Sequence, residues 1–156
     1  MTKTLVSISN EFPEFDDLVK TFVARNFEWV ATHAEAMAYR DSALQALQLA
    51  LISLCRQGDF AKAHWLAQVA IDRIRPQDPW SANLIGLAVG KQRLQAVMSE
   101  DLPPIEECQA TYYAGAAKLS AGEIEAARGH FEACMEISAP CLELYLAESE
   151  LNALVV

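Results

Sequence analysis

At 156 residues, 53% hydrophobic and 21% charged, the chain has the composition of a single packed domain and excludes a disordered or low-complexity polymer. Its 21 acidic against 12 basic side chains give a net charge of −9, unsuited to wrapping nucleic acid. No apolar run approaches the roughly 18 residues that cross a bilayer, and MTKTLVSISN lacks the apolar stretch of a secretory signal. Charge is uneven along the chain: net −3 over residues 1–39, +3 over 40–98 and −9 over 99–156. Cys55, Cys108, Cys134 and Cys141 form no C-x-x-C pair, which fits reduced thiols in a cytoplasmic protein better than a disulfide framework.

Read in order, the pattern predicts one all-α domain spanning 1–156. N-terminal helices cover 13–39, opening near Pro13 with the stripe Phe15, Leu18, Val19, Phe22 and Val23. Asn26 breaks them, and Phe27, Val30, Ala34 and Met37 continue the stripe to Tyr39. A hairpin occupies 42–76. Asp41 or Ser42 caps its first helix, which is apolar nearly all round from Leu44 to Cys55, and Gly58-Asp59 turns the chain into a second helix, Phe60 to Arg73.

Residues 78–104 start cleanly at Asp78-Pro79, with one helical stripe of Leu84, Leu87, Leu94, Val97 and Met98 containing Gly86-x-x-x-Gly90. The stretch ends in Ser99 to Pro104, where a second helix of a hairpin is expected. Pro103-Pro104 open the next hairpin, 105–138, turning at Gly122. Ser138 caps a terminal helix, 139–153, lined by Leu144, Ala147, Leu151 and Leu154.

The two hairpins repeat. Gly58, Ala63, Ala67, Ala70 and Pro76 match Gly122, Ala127, Phe131, Cys134 and Pro140 at one offset of 64 residues. With Gly115 inside its first helix, the stretch from Cys108 to Pro140 resembles a tetratricopeptide repeat, a helical hairpin that buries its faces by stacking on copies of itself. The middle unit is then a degenerate repeat. Thr111 and Leu47 stand where the family's first helix usually carries a large aromatic.

The resemblance implies a short α-solenoid of about seven to eight antiparallel helices, and a non-enzymatic adaptor or chaperone-like scaffold that takes a partner's protein or peptide segment in a concave groove. Carried over by position, the groove is lined by Gln45, Gln48, Ile52, Cys55 and Arg56 in one hairpin. In the other it is lined by Gln109, Tyr112, Ala116, Leu119 and Ser120. The family's carboxylate clamp needs Lys and Asn where Gln48, Ile52, Tyr112 and Ala116 stand, so a neutral or amphipathic segment is the expected occupant. In size, acidity and helical repeats the chain is also similar to the repeat-bearing chaperones of bacterial type III secretion. A small helical enzyme or ligand-binding protein is the rival from another class.

No catalytic or cofactor motif competes. His33, His64 and His130 are scattered outside any metal-ligand spacing, and Glu106, Glu107, Glu123, Glu125, Glu132 and Glu136 read as first-turn or solvent-facing acids. The expectation is therefore no catalytic residue, metal or cofactor, and neither nucleic acid nor membrane as partner. Leu142, Tyr145 and Leu146 leave the apolar stripe of the terminal helix, which predicts a homodimer interface there.

Overall fold

The computed structural model describes residues 15–38 and 44–154, the side chains of 34–38 apart. Among these residues every regular element is a helix, and there are nine. They are α1 (Phe15–Val23), α2 (Phe27–Ala38), α3 (Leu44–Arg56), α4 (Phe60–Ile74), α5 (Pro79–Ala88), α6 (Leu94–Val97), α7 (Pro104–Ser120), α8 (Ile124–Ile137) and α9 (Leu142–Leu154). The expected helix start near Pro13, the stripe positions Ala34, Met37 and Tyr39, and the cap at Asp41 or Ser42 lie outside what is described.

Four of these helices, α1, α3, α5 and α7, end by one recurring device. Gly58, Gly90 and Gly122 adopt positive φ of 86°, 78° and 84°. In each case the glycine N–H bonds back three residues and the following N–H bonds back five: Gly58 to Cys55 and Asp59 to Leu54, Gly90 to Leu87 and Lys91 to Gly86, Gly122 to Leu119 and Glu123 to Lys118. These are Schellman turns, for which glycine carries no Cβ penalty. Arg25 makes the same turn with a side chain present, at φ 72°, bonding to Phe22 while Asn26 bonds to Thr21.

Two expectations change here. The stripe Leu84 to Met98 is not one helix, because the turn at Gly90 ends α5 and the chain re-enters helix only for the four residues of α6. Gly90 therefore lies beyond the helix. Gly86 is buried within it, and an added Cβ would stand 3.0 Å from the Gln92 side chain. Ser138 likewise does not cap the terminal helix. It ends α8 at φ 54°, its N–H bonding to the Cys134 carbonyl, and α9 starts at Leu142.

Helix α3 is the hub, in contact with α1, α2, α4, α5 and α7. Ala46, Leu49, Ala50 and Ile52 join an apolar core shared with α1, α5, α7, α8 and α9. Leu47, Leu51, Leu54 and Cys55 join a second core with Ala63, Leu66, Ala67, Ala70 and Ile71 of α4 and Ile85 and Val89 at α5. The last described helix returns to the first, α9 packing on α1 as well as on α7 and α8.

At the α7–α8 hairpin the small residues act as contact points. Ala127 is fully buried, and a Cβ on Gly115 would meet Phe131 Cε1 at 2.8 Å and His130 Cβ at 3.0 Å. The two helices approach closely only because that Cβ is absent. Gly115→Ala should therefore destabilise the chain by about 1–3 kcal/mol of overpacking, against the roughly 1 kcal/mol that alanine gains in an unstrained helix. Chemical denaturation of the variant measures the balance, and a gain in stability would show that the close approach is not obligatory.

Candidate functional site

The residues expected to line a groove sit mostly in the core. Gln48, Ile52, Tyr112 and Ala116 are buried, as is Cys55, while Arg56, Gln109, Leu119 and Ser120 are half-buried and Gln45 is exposed. The reason is the enclosure of α3 and the return of α9, which place the chain's own helices over that surface. Gln48, Ile52, Tyr112 and Ala116 thus make internal contacts in this fold. Of the residues expected at a dimer surface, Leu146 is fully buried, Leu142 half-buried and Tyr145 exposed.

What the structure brings together instead is a polar seam under α9. The inner stripe of α9 is Glu143, Leu146, Ala147 and Glu150, all buried. The Tyr113 hydroxyl donates to Glu143 Oε2 at 2.7 Å, and Arg25 Nη1 donates to Glu150 Oε1 at 2.8 Å. Arg56 Nη1 stands 3.5 Å from the same oxygen, an ion pair without a hydrogen bond, and its guanidinium carbon lies 4.5 Å from the Phe27 ring centroid. Burial first, then the Glu150 and Glu143 charges, pushes the Tyr112 hydroxyl well above its ordinary range, and the two arginines offset this in part. Burial and the Glu143 charge do the same to Tyr113. Gln48 Oε1, the Tyr112 hydroxyl, Glu143 Oε1 and Glu150 Oε2 have no hydrogen-bond partner among the described residues. Both tyrosines are shut from solvent, Tyr113 as a hydrogen-bond donor to Glu143 and Tyr112 with its hydroxyl unpartnered.

The acids of this seam escape a sequence reading because Glu143 and Glu150 lie beside a longer run of leucines. Their only signal is the i, i+3, i+4, i+7 spacing of Glu143-Leu146-Ala147-Glu150, which competes with Leu144-Ala147-Leu151-Leu154. The other expected acids, Glu123, Glu125, Glu132 and Glu136, are exposed.

A surface cleft of about 610 Å³ opens elsewhere, between the turn after α5, helix α6 and the α7–α8 hairpin. Leu87, Leu94, Met98, Ala114 and Ala117 supply apolar lining, with Arg93, Lys118 and His130 among its polar groups. Lys118 Nζ stands 3.4 Å from Glu123 Oε1, both side chains about half exposed. Partial burial, and secondarily the Lys118 charge, lowers the His130 pKa below 6.5. The other histidines serve local contacts: His33 stacks on Trp29 at 4.1 Å, and His64 Nε2 lies 2.9 Å from the Val89 carbonyl oxygen. Gln109 accepts from Trp80 Nε1 at 3.1 Å, tying α7 to α5.

Cys108, Cys134 and Cys141 lie together at the start of α7, and Cys55 lies in the second core. Cys108 and Cys134 each direct sulfur at the other's carbonyl oxygen, at 4.0 and 3.5 Å. Burial raises the Cys55 thiol to about 11 and, with Cys141 beside it, the Cys108 thiol to about 12; burial also raises Cys134. No group of histidine, cysteine and acidic side chains suited to a metal ion occurs among the described residues. None of their helices is long and apolar enough to cross a membrane.

No family model matches the chain, and neither the curated proteins nor the solved structures include a significant match.

Two measurements check this picture. Removing Glu150 takes from Arg25 and Arg56 their shared buried carboxylate; because both arginines are partly exposed, Glu150→Ala should cost about 1–3 kcal/mol in denaturant unfolding. In the folded protein a thiol reagent at pH 8 should modify the half-buried Cys141 first, with Cys55, Cys108 and Cys134 reacting only after denaturant is added.

Proposed function

We propose that this chain is a non-enzymatic interaction module of tetratricopeptide-like descent that holds a segment of a partner protein. The observation that carries the reading is the cleft of about 610 Å³ beside α6, with its apolar floor and a rim that holds Arg93 and the Lys118–Glu123 pair. It lies where the middle unit, lacking a full second helix, leaves one side of the α7–α8 hairpin uncovered. The repeat reading draws support from the paired hairpins. Their glycine turns share one hydrogen-bond pattern, and Ala63, Ala67 and Ala70 are buried just as Ala127, Phe131 and Cys134 are at the 64-residue offset. With α9 packed back on α1 and the inner surface filled, the proposed binding surface is the outer cleft. An amphipathic segment suits this site, its apolar side on Leu94, Met98 and Ala117 and its acidic side chains toward Arg93 and Lys118.

A second reading, a small ligand, is favoured by the same volume, which falls within the roughly 300–1,000 Å³ of small-molecule sites. The test begins with affinity capture from the source cells and native mass spectrometry of the purified chain. Calorimetry then compares the captured partner's segment on wild type and on two variants. Ala117→Trp, which fills the cleft, and Arg93→Glu should each weaken binding at least tenfold with an unchanged melting temperature. Full affinity in both variants would remove the cleft from the proposal, and a retained small molecule in the native spectrum would favour the second reading.

A further inference from the structure

Helix α4 has two unlike faces. Its inner stripe, Ala63, Leu66, Ala67, Ala70 and Ile71, is buried against the second core. Its outer face carries Trp65, 63% exposed, and Val69, 42% exposed, one helical turn apart. Phe60 is also exposed, but five residues before Trp65 it points about 140° away around the helix and does not belong to this face.

Lys62 and Asp72 flank the pair, so that Lys62, Trp65, Val69 and Asp72 recur at spacings of three, four and three. That is the a, d, a, d seam of a coiled coil, the geometry by which two helices interlock at about 20°. All four residues are exposed. The seam is symmetric about the level of Ala67. Laid antiparallel on a second copy, it stacks Trp65 of each chain on Val69 of the other and sets each Lys62 opposite Asp72. A parallel arrangement would instead set Lys62 against Lys62 and Asp72 against Asp72. Charge thus selects one orientation, and an antiparallel helix pair is compatible with the two-fold symmetry of a closed dimer.

We infer that α4 is a self-association surface, pairing antiparallel with α4 of a second copy of this chain through Trp65 and Val69. This goes beyond the cleft and is independent of it, since no residue of the seam lines the cleft. A seam confined to one helix is small against the roughly 1,200–2,000 Å² buried in stable complexes. The dimer is therefore weak and concentration-dependent.

Sedimentation equilibrium over a range reaching millimolar protein tests the assignment. Wild type should pass from monomer to dimer. Trp65→Ala combined with Val69→Ala should raise the dissociation constant at least tenfold, as loss of a tryptophan anchor does, with the circular dichroism of the monomer preserved. Lys62→Asp and Asp72→Lys should each weaken the dimer, and the two together should restore it, because opposite charges then face each other again. Both changes place charge favourably for the α4 dipole, while Asp72→Lys also removes the hydrogen bond from Gln68 Nε2, so the circular dichroism of each monomer is read alongside. A monomer at every concentration, or a dimer indifferent to Trp65 and Val69, overturns the proposal. Failure of the charge exchange to restore association overturns the antiparallel register.

Discussion

Helix α3 carries ten consecutive buried residues, Ala46 to Cys55, so no side of that stretch faces water. Everything around it follows from that enclosure. Two apolar clusters form on its opposite faces, α4 and α5 cover one, and α1, α7 and the elements behind α7 cover the other. A helix of this kind cannot also present a wall of a recognition groove. The position-by-position transfer from the repeat family places Gln48 and Ile52 in such a wall, but here both are sealed within the fold.

The covering of the second face ends in α9, whose inward stripe is half carboxylate. Leu146 and Ala147 supply its apolar contact, while Glu143 and Glu150 are held by Tyr113 and by Arg25 with Arg56. Groups of this sort add little net stability, because each carboxylate gives up its water to be there. They do restrict how α9 can sit, since a rotation of the helix would detach both acids from their partners at once. Geometry, more than affinity, is what the polar seam supplies.

Much of the local structure is legible in the sequence. The caps at Asp78 and Pro79, the glycine turns at Gly58 and Gly122, the break at Asn26 and the opening of α7 at Pro103-Pro104 each rest on backbone chemistry that neighbours cannot override. The close contact at Gly115 and Ala127 is legible too, since small residues at hairpin spacing have few other uses. The interruption after α5 is not, because Leu84, Leu87, Leu94, Val97 and Met98 keep helical phase across the gap and Gly90 alone signals the turn. The candidate site is less legible than the fold. Whether Tyr112 faces a groove or a neighbour depends on where α9 lies, and that is fixed by Arg25 and Glu150, residues with no local relation in the sequence.

That same contact has a bearing on how the molecule is made. The Arg25–Glu150 hydrogen bond spans 125 positions, nearly the whole described chain. A stack of helical hairpins closes mostly short loops and orders quickly, whereas a bond of this span must wait for every intervening segment to find its place. On a ribosome, the N-terminal helix would emerge long before its partner from the other end existed. A contact of this span is thus one that the fold can make only after its local hairpins.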